Sequence, residues 1–130
     1  MFKVDDENKL IAITRGDTGS IVFSATDDEG NAFVPTLHDR LIFSVAKKVG
    51  QEPLFVIMNE MDDDVDAFWE IGIEPEHTEE LPFGNYAYDV QIELRSSATG
   101  ELEAVDTIIG KTDEVSPVFR VWGEVSKESE

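Results

Sequence analysis

The clearest pattern in the chain is an alternation of apolar and polar residues after a turn. In the stretch LPFGNYAYDVQIEL, residues 81–94, every second residue from Tyr86 onward is large and apolar, with mostly polar residues between them. Successive side chains of a strand point to opposite faces, so this pattern predicts one buried face and one wet face. Pro82 and Gly84 precede it and favour a turn into the strand.

Shorter runs of the same kind recur between turn-forming residues: KLIAIT, SIVFSA, RLIFSVAK, PLFVIMN, AFWEIGIE, LEAVDTIIG and VFRVWGEV. Eight or so strands at a spacing of about 8–12 residues are typical of a sandwich or barrel. Only EPEHTEEL favours a turn of helix. We therefore predict one all-β domain over residues 1–125, built as a two-sheet antiparallel β-sandwich, with residues 126–130 as a loose tail.

The turn before the long strand suggests which sandwich this is. Leu81, Gly84 and Tyr86 form an L-x-x-G-x-Y pattern, which is similar to the tyrosine corner of immunoglobulin-like sandwiches. In that corner the tyrosine hydroxyl bonds back to the backbone of the preceding loop. We predict that Tyr86 is the corner residue and that Tyr88 fills the core.

Charge and composition narrow the range of partners. The chain has 29 acidic and 10 basic residues, a formal net charge of −19, and 41% of its residues are hydrophobic. Nucleic acids and anionic membranes need basic surfaces, so we expect neither as a partner. There is no cysteine, which excludes disulfides and thiolate metal sites. The N-terminus shows no signal-peptide pattern, and we expect synthesis in a bacterial cytoplasm.

One acidic segment resembles a calcium-binding loop, because Asp62, Asp64 and Asp66 stand at alternate positions. An EF-hand loop also needs Gly at its sixth position and Glu at its twelfth. Ala67 and Ile73 occupy those positions here. A solvated hairpin loop is the simpler interpretation, and divalent-cation binding by residues 60–66 stays open.

No other motif indicates chemistry. His38 and His77 lie far apart without the further ligands that zinc requires, and among its glutamate neighbours we expect His77 to be a charged surface residue. The RGD at residues 15–17 has turn-forming residues between two strands. We therefore expect no catalytic residue, no cofactor and no metal, and hence no enzyme.

Some strands carry more apolar residues than one buried face requires. In PLFVIM, Leu54, Val56 and Met58 make one apolar face, and Phe55 and Ile57 make the other apolar too. Antiparallel sheets usually leave one face wet, so a second apolar face implies a cover. That cover is either another part of the chain or another subunit. Phe55, Ile57 and, in VFRVW, Trp122 are the interface candidates.

The order of these motifs is similar to that of a known family. The stretch ITRGDTGSIVFSATDDEGNAF resembles the opening of the N-terminal domain of phage baseplate upper proteins from viruses and prophages of Gram-positive bacteria. The family's leucine, glycine turn and Y-x-Y-D-V segment match the motifs here, as does a later G-E hairpin. The likeness spans roughly residues 10–121; the matching residues of the central segment are Leu81, Gly84, Tyr86, Tyr88, Asp89 and Val90.

The resemblance implies an immunoglobulin-like sandwich that docks a baseplate or tail-tip component to neighbouring virion proteins. The sequence has no coiled coil or receptor-binding domain, so we expect a stand-alone accessory component of the virion tail. Its partners would be other virion or tail proteins, with a homo-oligomer as an alternative. The second hypothesis is a carbohydrate- or cell-surface-binding module that uses exposed aromatic side chains such as Trp69 or Trp122.

Overall fold

The computed structural model describes residues 2–5, 7–23, 35–61, 69–110 and 116–123, and their regular structure is almost entirely β. The strands are β1 (Phe2–Asp5), β2 (Leu10–Thr14), β3 (Gly19–Phe23), β4 (Arg40–Ala46), β5 (Pro53–Glu60), β6 (Trp69–Ile73), β7 (Gly84–Arg95), β8 (Leu102–Ile109) and β9 (Val118–Trp122). A single turn of helix, α1 (Pro75–Thr78), lies between β6 and β7. The prediction of an all-β fold is confirmed.

The strands form two sheets. The large sheet has the order β1-β2-β9-β7-β4-β5, with β8 also paired to β7, and the small sheet pairs β3 with β6. Strand β7 is 12 residues long, so its beginning pairs with β9 and its end with β8 along one edge, while β4 takes the other edge. Strand β7 is therefore the central strand of the large sheet, with β4 on one side and β8 and β9 on the other.

One pair of neighbouring strands departs from the antiparallel arrangement that the sequence predicts. Strands β2 and β9 run parallel, from Leu10 opposite Val118 to Thr14 opposite Trp122. Parallel neighbours need a long connection, whereas a tight hairpin imposes the antiparallel direction. These two strands are almost the whole chain apart, so no turn sets their relative direction.

The core lies between the inner faces of the two sheets, as the alternation predicts. Leu41, Phe43 and Val45 of β4 are fully buried, and Trp69 of β6 faces them from the small sheet among other buried side chains. The inward residues of β7 include Tyr86 and three further residues of the predicted face: Tyr88, Val90 and Ile92.

Helix α1 fastens the connection between β6 and β7 to the rest of the sandwich. The buried Thr78 hydroxyl accepts a hydrogen bond from the Gly16 N–H at 2.9 Å. The Arg15 guanidinium of the same RGD turn lies 4.5 Å from the centre of the Phe83 ring, within cation–π range. The RGD segment is therefore part of the packed structure, as the turn interpretation predicts.

Among the described residues, no helix is long and apolar enough to cross a membrane.

Candidate functional site

Strand β5 presents an exposed apolar surface. Leu54, Val56 and Met58 point away from the core and are 48%, 49% and 55% exposed. We call these three residues the β5 ridge. Since β5 ends the strand order of the large sheet in the part of the chain that the structure describes, the ridge lies at a sheet margin that a partner can approach.

The interface candidates Phe55 and Ile57 lie on the opposite, inward face of β5. Both are half-buried and pack against the core cluster. The Phe55 ring meets Phe119 edge-on at 5.8 Å and stacks on His77 at 5.1 Å. The exposed apolar face of β5 is therefore the β5 ridge, and Phe55 and Ile57 face the core. A period of two separates the faces, but it cannot say which face is buried when both are apolar.

The third interface candidate, Trp122, lies on β9, an inner strand of the large sheet. It is half-buried at the end of β9, opposite Thr14 of β2. Two strands, β4 and β7, lie between β5 and β9 in the order of the large sheet. The sheet therefore does not bring Trp122 together with the ridge into one site.

Next to the ridge, one end of the outer face carries a small ionic cluster. Arg40 donates to Glu60 through Nε at 2.8 Å, and His38 Nδ1 lies 3.3 Å from the other Glu60 oxygen. Arg40 also reaches Glu93 on β7 at 3.9 Å. The hydrogen bonds from Arg40 and then His38 lower the pKa of the Glu60 carboxyl. These groups frame the ridge with polar side chains, as the rim of an interface is framed.

A hollow opens on the same outer face, toward the turn that joins β4 to β5. Its floor consists of Ser44 and Ala46 from β4 and Ala87 and Asp89 from β7, and its wall is formed by the turn residues 48–51 and by Pro53 at the start of β5. Its volume is about 280 Å³. We call it the Asp89 hollow. Burial raises the pKa of the Asp89 carboxyl, because removing a carboxylate from water disfavours its charged form.

Tyr86 makes the contact that characterises a tyrosine corner. Its hydroxyl donates to the Pro82 carbonyl at 2.5 Å, and its ring is 8% exposed. Burial raises the pKa of the Tyr86 hydroxyl. Gly84 has a φ of +146°, a conformation that side chains rarely adopt. The corner anchors the start of β7, whose later residues form part of the floor of the Asp89 hollow.

Replacing Tyr86 with phenylalanine should lower the free energy of unfolding by about 1 kcal/mol. The substitution keeps the ring and removes only the hydrogen bond to Pro82, a typical net value for one buried hydrogen bond. Urea denaturation of both proteins measures the difference. An unchanged midpoint at unchanged slope would show that the corner bond contributes nothing to stability.

Several residues singled out from the sequence do not join a reactive site. Trp69 is only 1% exposed, so this candidate for sugar stacking is buried in the core. The acidic residues 62–66 lie outside the described residues. His77 is half-buried rather than fully exposed, and its Nδ1 accepts a hydrogen bond from the Glu74 N–H at 2.9 Å. Within the described ranges, no three His, Asp or Glu side chains form a group that could hold a metal ion.

The buried carboxylate of Asp39 was not found from the sequence. Asp39 is 3% exposed, and its Oδ1 accepts from the Arg95 N–H at 2.8 Å. Its Oδ2 accepts from the Thr36 N–H at 2.8 Å and from the Thr36 hydroxyl at 3.2 Å. The T-x-x-D spacing in TLHD is a local signal for such a turn. The bond to Arg95, 56 residues away, has no local signal.

No family model matches the chain, and no curated protein sequence matches it either. A functional assignment therefore depends on the outer face of the large sheet and on the resemblance of the sequence motifs.

Proposed function

We propose that the protein is a non-enzymatic structural component of a phage or prophage tail, a baseplate or tail-tip part that acts by docking to other virion proteins. The observation that carries this proposal is the β5 ridge: Leu54, Val56 and Met58 are half-exposed side by side on one sheet face. Large apolar side chains grouped at a surface are typical of protein–protein interfaces. The resemblance to the baseplate family is the reason for placing this docking function in a phage tail.

The surroundings of the ridge suit an interface. Met58 pairs across the sheet with Ile42, so the apolar surface continues onto β4 at this point, whereas Val56 pairs with the polar Ser44. Glu60 and Arg40 bound it at one end. Specific interfaces bury about 1,200–2,000 Å² in total, with an apolar centre and a polar rim. The formal net charge of −19 favours a basic partner, since complementary charge accelerates association.

The histidines support a role without catalysis. His38 is engaged with Glu60, and His77 stacks on Phe55 while it closes the first turn of α1. A catalytic base needs a nucleophile or substrate proton within reach. Both imidazoles are instead used in structural contacts on different connections of the fold.

The tail assignment is tested on virions. We expect mass spectrometry of purified particles, from the phage or induced prophage that encodes this chain, to find the protein in the tail fraction. Its absence from intact particles would contradict the proposal. A glycan array tests the carbohydrate-binding alternative, for which Trp122 would have to supply the aromatic contact because Trp69 is buried.

A charged residue in the middle of the β5 ridge should prevent incorporation. We expect Val56→Lys to fold normally, because Val56 is 49% exposed, and to be lost from tail particles when it replaces the natural protein. Burying an unpaired ammonium against an apolar surface is strongly unfavourable. Quantitative mass spectrometry of the particles measures incorporation relative to a major tail protein.

The matched control is Val22→Lys on β3. Val22 is 57% exposed on the small sheet, so this substitution introduces the same charge at a similar exposure on the other side of the sandwich. We expect the control to be incorporated as the natural protein is. Equal incorporation of both variants would exclude the β5 ridge as the docking surface.

A further inference from the structure

The Asp89 hollow exists because small side chains meet across two strands. Ala46 and Ala87 are direct cross-strand partners, and Ser44 is opposite Asp89 in the same register. None of these three neighbours can fill the space above the sheet that larger outward residues would occupy. The turn after β4, which contains Gly50, lines one side of the Asp89 hollow.

The carboxylate on the floor of the hollow has no compensating partner in the described part of the chain. Asp89 is half-buried, and none of the hydrogen bonds or ion pairs between described residues uses its oxygens. Burial raises the pKa of the Asp89 carboxyl, in keeping with a carboxylate that has lost part of its hydration. Lys48 belongs to the wall of the hollow, but it too forms no ion pair with a described carboxylate.

We propose that the docking partner places a lysine or arginine side chain in the Asp89 hollow while its apolar residues cover the β5 ridge. This inference rests on the proposed docking function and specifies the chemistry of the partner's contact. The aliphatic stem of such a side chain lies over Ala46 and Ala87, since long basic side chains bury their stems along apolar surfaces. Its cationic end meets the Asp89 carboxylate, and the Gln91 side chain, which also lines the hollow, supplies a further polar group.

A basic partner fits this site better than the other occupants. A second copy of the chain would bring another charge of −19 against the same face. A metal ion needs several converging oxygen ligands, and Asp89 is the only carboxylate among the residues that line the hollow. A volume of about 280 Å³ exceeds the share of roughly 30 Å³ that one water occupies in the liquid, so it accommodates a long side chain.

The direct test uses short peptides as probes. Acetyl-valyl-arginyl-valine amide is titrated into the ¹⁵N-labelled protein, with the corresponding citrulline peptide as the uncharged probe of similar shape. We expect saturable shifts of the Ala46, Ala87 and Asp89 amide signals with the arginine peptide. The citrulline peptide should bind about fivefold more weakly, as a partly exposed ion pair contributes little more than that.

Two variants with the same change of charge complete the test. Asp89→Asn should weaken binding of the arginine peptide about fivefold, whereas Glu70→Gln, on the exposed face of the small sheet, should leave it unchanged. Asp89→Asn is expected to fold. The raised pKa of Asp89 gives a stabilising contribution at pH values below the ordinary carboxyl pKa, and this is lost as the pH rises through the folded-state pKa. At pH 7 the charged form therefore opposes folding, and asparagine removes that cost.

The outcomes separate this inference from the docking proposal. Equal binding of the arginine and citrulline peptides, or of the arginine peptide to Asp89→Asn and the natural protein, would overturn the inference. If Asp89→Asn also enters tail particles normally while Val56→Lys does not, the docking surface stands and only the cation contact is rejected. If neither variant affects incorporation, the β5 ridge is excluded as the docking surface and the inference about the Asp89 hollow is rejected with it, whereas the tail assignment is decided by the presence of the protein in particles.

Discussion

Replacing Phe43 with alanine should lower the free energy of unfolding by about 3–5 kcal/mol. Phe43 is fully buried in the middle of β4, where its ring lies 5.5 Å from that of Tyr88 and 6.2 Å from those of Phe23 and Phe119. These rings come from both sheets, so the substitution opens a cavity between the two layers. The surrounding strands can close such a cavity only in part, which adds to the lost transfer free energy.

Urea denaturation followed by far-ultraviolet circular dichroism measures this loss. Phe83→Ala is the control, because Phe83 is 55% exposed and forms a cation–π pair with Arg15. We expect the control to cost no more than about 1 kcal/mol. Similar losses for the two variants would mean that the sheets are not held together by the aromatic cluster around Phe43.

The strands of this protein are predictable from its sequence because one face of most strands is uniformly apolar. In β7 the buried residues between Tyr86 and Ile92 occupy every second position, and in β6 the buried residues Trp69, Ile71 and Ile73 do the same. A one-residue shift would expose the whole set, so the pattern specifies both the strand and its orientation. The glycine and proline turns then set the approximate ends.

Strand β5 shows where this reasoning stops. Both of its faces are apolar. Which face points to the core depends on the contacts of Phe55 with Phe119 and His77, two residues far away in sequence. Local periodicity contains no information about those contacts. The parallel pairing of β2 with β9 was missed for the same reason, since it joins the two ends of the described chain without a connecting turn.

Part of the candidate site is likewise predictable from local sequence, and part of it depends on contacts between distant residues. The apolar residues of the β5 ridge are visible in the sequence, although not their exposure. The Asp89 hollow is not visible, because it needs Ala46 of β4 to stand opposite Ala87 of β7. Among 29 acidic residues, nothing local distinguishes Asp89 from a solvated surface carboxylate, and the T-x-x-D spacing at Asp39 indicates a turn but not the burial of the carboxylate. Only the fold shows that these two are removed from water.

The second large loss of stability is expected at Asp39. Asp39→Ala should lower the free energy of unfolding by about 2–4 kcal/mol, because hydrogen bonds to a charged acceptor contribute more than neutral ones. Alanine leaves the N–H groups of Thr36 and Arg95 without the carboxylate that accepts from them. The Met61 N–H donates to the Asp39 backbone carbonyl at 2.8 Å, and the substitution keeps this acceptor. Only the hydrogen bonds to the Asp39 side chain are lost.

Two comparisons identify the cause of that loss in urea denaturation. Asp106→Ala removes an exposed aspartate from β8 and should change stability by less than about 0.5 kcal/mol. Asp39→Asn keeps the shape but turns an amide NH₂ toward one of the N–H donors, so we expect a loss close to that of alanine. If Asp39→Asn were as stable as the natural protein, a single side-chain oxygen acceptor would be sufficient. The connection between Asp39, which precedes β4, and Arg95, at the end of β7, would then not require a carboxylate. A loss in both variants would instead establish Asp39 as the buried acceptor that joins these two strands.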